Sequence, residues 1–300
     1  MLPGTRILVT GAAGFIGRHL VGRLTGLGAH VTGLDASSWE DAPCPMLRVD
    51  IREGAELSDA VRDLRPQTVF HLAACVGVRQ SVDAAALYFD TNVTGTSNVI
   101  EAAAQAGTRH LVFSSSSSVY GASSPAPSHP DDALHPRSPY AESKAAAEIA
   151  VRAFPGLSTV TRLFTVYGPG MRHDLALRRF ILAVANGEPI TMMGDGTSRR
   201  DYTHVSDIVS GFVAALGRSE AEPLTCNLGT GSSIALRDVV RTIEEVVGRS
   251  AQIVQAAPHP ADALYTCADL GRSAQHLGFE PKVPFERGLR ELATSLLASS

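Results

Sequence analysis

An α/β fold, built on a doubly wound parallel sheet with a smaller mixed α/β domain beside it, is what this 300-residue sequence predicts. Three observations carry that expectation. In the first half, short apolar runs alternate with stretches of period near 3.6, the pattern of successive βαβ units. A glycine-rich turn, Gly11-Ala-Ala-Gly14-Phe-Ile-Gly17, stands between the first apolar run and the first helical stretch. Beyond Leu163 the strict alternation breaks down. That sets one domain over residues 1–164 against a second, mainly over residues 165–300, with a segment near 200–226 returning to the first.

Taken in order, Arg6–Val9 is the first strand and Phe15–Leu27 the first helix. His30–Leu34 reads as a second strand, Met46–Val49 as a short third one after a polar loop, Leu57–Leu64 as a helix and Thr68–Leu72 as a buried strand. Asp90–Ala106 predicts one long helix stopped by Gly107, since glycine readily takes the left-handed turn that ends a helix. Arg109–Ser114 follows as a strand running into five serines, Ser114–Ser118. Prolines clustered between Gly121 and Pro139 predict a surface loop. Ser138 and Pro139 then suit the cap and first position of a helix over Tyr140–Phe154. After the strand Val160–Leu163 come a turn at Gly168–Gly170, a helix over Ala176–Asn186 ended by Gly187, a glycine-rich loop over Met192–Ser198 and a helix near Ile234–Val247.

Composition excludes several classes of function. With 26 basic and 30 acidic residues the net charge is −4, without the basic excess that nucleic-acid binding normally requires. The four cysteines, Cys44, Cys75, Cys226 and Cys267, are far apart, so neither a zinc site nor a disulfide framework is expected, and no metal is assigned. No run approaches the ~18 apolar residues of a membrane helix, and the N-terminus enters a strand without a secretory leader. A cytoplasmic protein without membrane or nucleic-acid partners is expected.

Three motifs carry chemistry. In the glycine turn, Gly11 permits the tight turn and Gly14 lets a pyrophosphate approach the N–H groups at a helix N-terminus, while Gly17 lets helix and strand pack closely. Asp35 ends the second strand, where a carboxylate binds the ribose hydroxyls of adenosine and repels a 2′-phosphate. Strand, glycines, helix and acid together predict a Rossmann-type sheet that binds NAD rather than NADP. Tyr140 and Lys144 are four residues apart, hence on one helical face, and Lys144 is one of only two lysines in the chain. A phenol titrating near ~10 is a poor base at neutral pH, and a cation beside it stabilises the phenolate. The serine run begins at the C-terminal end of a buried strand, where open α/β sheets bind ligands.

On these motifs the chain resembles the extended short-chain dehydrogenase/reductases, in particular the nucleotide-sugar epimerases and dehydratases. His71-Leu-Ala-Ala74, Val119-Tyr-Gly121, Thr165–Gly170, Gly194–Gly196, Arg200–Val205, Asn227–Gly229 and Leu277–Pro281 add to the likeness, which spans nearly the whole chain. The resemblance implies Ser116 as the catalytic hydroxyl, Tyr140 as the base and Lys144 as its partner on the nicotinamide ribose. It implies cofactor contacts from Gly11, Gly14, Phe15, Ile16, Gly17, Asp35, Leu72, Ala73, Ala74 and Asn92, with Asp50 and Ile51 at the adenine. Arg200 takes the sugar-nucleotide diphosphate. Asp262 matches the acid of an R/Q-P-G-D stretch, which here reads His259-Pro-Ala-Asp262. A homodimer is implied as well.

Within such a group, Ser117 and Ser118 stand where 4,6-dehydratases carry Asp-Glu, and Ser118 where UDP-glucuronate decarboxylases carry Glu. Neither serine can do that acid/base work. What remains is return of the hydride to the other face of C4. The stretch from Phe164 through Arg172 to Ala176 resembles UDP-glucuronate 4-epimerases, so Ser116, Ser117, Ser118, Thr165 and Arg172 are expected to hold a sugar carboxylate. UDP-glucose/UDP-galactose 4-epimerisation is the alternative. A non-catalytic NAD-binding sensor or scaffold is the alternative from another class, disfavoured by the intact Ser116, Tyr140 and Lys144.

Overall fold

A computed structural model of the chain describes residues 3–121, 127–218, 222–258 and 262–298. His259 and Ala261, noted above, lie outside the described residues, as do parts of the proline-rich loop and of the segment near 200–226.

Strands β1 (Arg6–Thr10), β2 (His30–Asp35), β3 (Met46–Arg48), β4 (Thr68–His71), β5 (His110–Ser116) and β6 (Leu157–Leu163) alternate with helices. These are α1 (Phe15–Gly26), α2 (Gly54–Leu64), the short α3 (Gln80–Asp83) and α4 (Ala85–Phe89), then α5 (Gly95–Gln105) and α6 (Pro139–Arg152). The later chain adds β7 (Thr165–Tyr167), α7 (Ala176–Asn186), β8 (Pro189–Met193), β9 (Arg199–Arg200), β10 (Tyr202–His204), α8 (Val205–Ala215) and β11 (Leu224–Leu228). It ends with β12 (Ile234–Ala235), α9 (Leu236–Val247), β13 (Gln252–Ala256), α10 (Gly271–Leu277) and α11 (Phe285–Leu297).

Seven strands form one parallel sheet in the order β3-β2-β1-β4-β5-β6-β11. The chain leaves β1 in one direction and returns at β4 on its other side, which opens a crevice at the carboxyl ends of these two strands. Both faces of the sheet are covered, as an all-parallel sheet requires. Successive residues of β1 serve opposite faces. Ile7 and Val9 join Leu20, Val21 and Leu24 of α1 and Phe212 of α8, whereas Leu8 joins Leu57 and Val61 of α2, Val99 of α5 and Val151 of α6. Phe212 meets Phe70 of β4 edge-to-face, with ring centroids 6.0 Å apart. Burying one such aromatic side chain contributes about 2–3 kcal/mol. A third cluster joins α7, α9 and α11 through Ile181, Ile243 and Leu292.

Three expectations need correction. Asp90–Ala106 is not one regular helix: Asp90–Thr94 is a π turn between α4 and α5. Its wider turn aims the Asn92 amide away from the helix axis at Cys75 and Ser143. The loop expected from Met192 starts only after β8, because β8 pairs in parallel with β13 some sixty residues later. The strand expected to end at Ser114 runs further: β5 continues through Ser116 and turns as a 3₁₀ helix over Ser117–Tyr120.

Candidate active site

At the crevice, Gly11 has φ +70° and lies so close to β4 that a Cβ there would meet Ala73 N at 2.6 Å and Leu72 C at 2.8 Å. A Cβ on Gly17 would collide with the Gly11 carbonyl. Only glycine fits either place. Gly14 caps α1 without a side chain, leaving the first N–H groups of the helix facing the crevice. The Asp35 carboxylate accepts from Ala13 N (3.0 Å) and Ser37 N (2.9 Å), which ties it to the same turn. Farther along, the Asp50 carboxylate accepts from the Arg52 guanidinium at 2.6 Å, which holds its carboxyl below the usual range. Ile51 is buried against Gly95.

One cleft of about 830 Å³ runs from Asp35 and Asp50 past the glycines to Tyr140. It is lined by every residue assigned from the sequence to cofactor or substrate, with one exception. Asn92 is buried behind the wall. Its Oδ1 accepts from Cys75 N (2.8 Å) and its Nδ2 donates to Cys75 O (3.0 Å) and Ser143 Oγ (2.9 Å), so it braces the Cys75 loop against α6 instead of reaching the cleft.

Ser138 starts α6 by accepting from Ala141 N at 3.2 Å, with Pro139 in the first turn. The helix therefore presents Tyr140 and Lys144, one turn apart, to the end of β5. Tyr140 lies beside Ser116 on the cleft wall and edge-to-face on Tyr88, with centroids 6.2 Å apart. Burial raises the phenol above its ordinary value, while the neighbouring Ser116 hydroxyl and the Arg172 cation pull it down. Sequence reasoning gave that cationic role to Lys144. Here burial pushes the Lys144 ammonium down to about 7, with Glu148 acting in the opposite sense, and its Nζ lies 4.5 Å from the Phe113 ring centroid. Arg172 is a second cation near the phenol, and its charge pulls the phenol down.

His71, beneath Lys144, is fully buried between Thr10 Oγ1 (2.7 Å) and Thr96 Oγ1 (2.9 Å). Thr96 donates its own proton to Asn92 O at 2.6 Å, so it can only accept from His71 Nε2–H. That leaves Nδ1 to accept from Thr10 and fixes a neutral tautomer. Burial, with Lys144 adding to it, lowers this imidazole to about 3.

On the sugar side, Ser116 Oγ accepts from Ser118 N (3.2 Å) and Ser118 Oγ (2.9 Å), and Ser117 and Thr165 also line the cleft. Arg172 forks onto Asp174, with Nε to Oδ1 at 2.9 Å and Nη2 to Oδ2 at 2.6 Å, and its Nη1 donates to Val76 O at 3.3 Å. Arg200 lines the cleft and burial lowers its guanidinium. Asp262 is held by Arg79 at 2.6 Å. Arg79, Asp174 and Glu148 were given no role by the sequence reading, and His71 entered it only within the His71–Ala74 motif. Asp174 and Glu148 were within reach of that reading, two residues after Arg172 and one turn after Lys144. The Arg79–Asp262 pair joins segments 183 residues apart, and no local pattern announces it.

The glycine cradle, the amide-anchored Asp35 and the length of the cleft fit a dinucleotide with its diphosphate on the start of α1. Among the described residues, no cluster of three His, Cys, Asp or Glu side chains could hold a metal ion, and no helix is long and apolar enough to cross a membrane.

Fold and site together define a Rossmann-type enzyme in which a Ser–Tyr–Lys set faces a dinucleotide crevice. The chain belongs to the NAD dependent epimerase/dehydratase family, whose model matches residues 7–229. NAD is therefore the cofactor, and a nucleotide-sugar 4-epimerase is the class of enzyme. A UDP-glucuronate 4-epimerase of Thermodesulfobacterium geofontis is 34% identical, over 94% of this chain and 93% of the relative. A UDP-glucose 4-epimerase of Mycolicibacterium smegmatis is 33% identical, over 95% and 96%. The solved structure of MoeE5 in complex with UDP-glucuronic acid and NAD superposes with a TM-score of 0.93 at 36% identity, covering 98% of this chain and all of that one. MoeE5 has also been solved with UDP-glucose and NAD.

Proposed function

We propose that this enzyme interconverts UDP-glucuronate and UDP-galacturonate by 4-epimerisation. The observation that carries this reading is the cleft wall beside Tyr140. Ser116, Ser117, Ser118 and Thr165 bring hydroxyls to it and Arg172 a guanidinium, and positions 117 and 118 carry no acid. Charge-assisted donors suit a carboxylate at C6, which an Asp-Glu pair would repel.

When bound, NAD takes the hydride from C4 and gives it back. Tyr140 removes the 4-hydroxyl proton, and Ser116, beside it on the cleft wall, holds the sugar oxygen in line. The Arg172 charge favours the phenolate that this step consumes. Lys144 holds the nicotinamide ribose, Asp35 the adenosine ribose and Arg200 the diphosphate. Once the 4-keto sugar has turned over within the cleft, Tyr140 returns the proton as the hydride reaches the other face. Hydrogen bonds that keep the C6 carboxylate out of alignment with the carbonyl protect this β-keto acid from losing CO₂.

A second reading, UDP-glucose/UDP-galactose 4-epimerisation, is favoured by one observation: Arg172 already forks onto Asp174, which competes with a substrate carboxylate. Incubating the purified protein with each UDP-sugar, without added NAD, separates the two readings. Product from UDP-glucuronate supports the carboxylate pocket, and product from UDP-glucose alone removes Arg172 from sugar binding and leaves it only its pull on the phenol. No product from either, even with NAD supplied, sinks both. We also propose a homodimer, supported by the apolar side chains that α4 and α6 leave exposed, among them Leu87, Phe89 and Ile149.

A further inference from the structure

One buried charge cluster lies behind the catalytic helix and takes no part in the mechanism above. Glu148 is wholly buried and sits one turn beyond Lys144 and two beyond Tyr140, on the same face of α6. Its carboxylate accepts from three directions. Ser115 Oγ of β5 donates to Oε1 at 2.5 Å. Arg162 of β6, itself buried, donates through Nε to Oε1 (2.9 Å) and through Nη2 to Oε2 (2.7 Å). Arg152 reaches Oε2 from the surface at 3.3 Å. The remaining donor of Arg162 meets the Tyr120 hydroxyl (3.0 Å) and Pro130 O (2.9 Å), and Tyr120 donates onward to Asn227 Oδ1 of β11 at 2.6 Å.

A buried ion pair is weak evidence for stability, because desolvating both charges offsets most of their attraction; such pairs are better suited to fixing one arrangement among several. The arrangement here is specific. Ser115 precedes Ser116, and Ser116 must meet Tyr140. Glu148 joins the strand that carries the hydroxyl to the helix that carries the phenol, and the Arg162 fork fixes the rotation of its carboxylate.

We infer that Glu148 is a positioning residue for the proton transfer at C4: through Ser115 and Arg162 it sets α6 against the end of β5, and so holds Tyr140 at Ser116. This inference rests on the 4-epimerase chemistry but not on which sugar is used. The assay therefore takes whichever of UDP-glucuronate and UDP-glucose the unaltered protein converts; if it converts neither, the functional reading fails before this inference is tested.

Two variants test it. Ser115→Ala cuts only the tie to β5 and leaves the ion pair intact. Glu148→Gln keeps the shape but introduces an amide that cannot accept from all its donors at once. Misplacement of reacting groups by about 1 Å costs roughly 10²-fold in rate. The expected result is a fall in kcat of about ten- to a hundred-fold in each variant, with KM and the NAD content of the purified protein unchanged. In the double variant the two losses should not multiply, because both break one linkage. Unaltered kcat in Ser115→Ala overturns the inference, and so does a Glu148→Gln loss that appears wholly in KM, in NAD content or in the fraction folded. Should Glu148→Gln fail to fold, Ser115→Ala decides alone.

Discussion

Acid should destabilise this protein through its buried imidazoles, and His71 is the most strongly shifted of them. His71 is neutral and sealed between Thr10 and Thr96, with its affinity for a proton lowered from 6.5 to about 3. Because the folded state binds that proton less well than the unfolded chain does, the unfolded state gains protons first as the pH falls. The stability tied to the neutral ring is complete above 6.5 and drains away between 6.5 and about 3. Each pH unit within that window costs about 1.4 kcal/mol, which makes about 2 kcal/mol by pH ~5. His71→Gln retains an acceptor toward Thr10 and a donor toward Thr96 but cannot titrate. Urea unfolding of both proteins at several pH values between about 7.5 and 5 compares them directly. The wild-type curve should fall away from that of the variant by about 2 kcal/mol at the acid end. Lys144, lowered to about 7, titrates above this window and is common to both. Curves that stay parallel refute the reasoning and mean that the ring is not held neutral by its burial.

Other outcomes follow from the same geometry. Tyr140→Phe should lower turnover by roughly 10²–10⁴-fold while the purified protein keeps its NAD, since the ring still packs on Tyr88; normal turnover would sink the mechanism. Arg172→Ala removes a charge-assisted donor worth about 1.5–3 kcal/mol, so kcat/KM for UDP-glucuronate should fall roughly 10- to 100-fold further than for UDP-glucose, which loses only the pull of Arg172 on the Tyr140 phenol. Equal losses on both sugars remove the carboxylate pocket. Gly17→Ala drives a methyl group into the Gly11 carbonyl, and the protein should emerge with little NAD and a lowered melting temperature; full NAD occupancy contradicts the cradle. Ile149→Arg should shift the protein toward monomer in gel filtration, and an unchanged elution volume argues against α6 as an interface.

The features that sequence displays best are those written over short distances. The turn from Gly11 to Gly17 has its strand, helix and acid close at hand, and the cap at Ser138 lies inside the segment it starts. Lys144 stood out because lysine is scarce in this chain. Features that depend on distant partners were hidden. β8 is a strand only because β13 pairs with it, and Asp262 is spoken for only because Arg79 folds onto it. Arg162 sat within an apolar strand pattern that disguised a buried charge, since its partner Glu148 reads as one more polar position on a helix. The π turn at Asp90–Thr94 leaves no trace in apolar periodicity, because one widened turn shifts that pattern by less than a residue. The resemblance placed Asn92 among the cofactor contacts, whereas it stands behind the cleft wall.

β11 lies against the outer edge of β6, and α8 lays Phe212 over Phe70. Both elements come from far beyond the point where the dinucleotide-binding strands end. A fragment ending near Phe164 would bare that strand edge together with the apolar surface that α8 shields, an invitation to stick to its neighbours. The cofactor-binding half is therefore not a portable module. It reaches its native form only after the ribosome has delivered Leu228, and a gene cut or fused between these points would yield two pieces that need one another to fold.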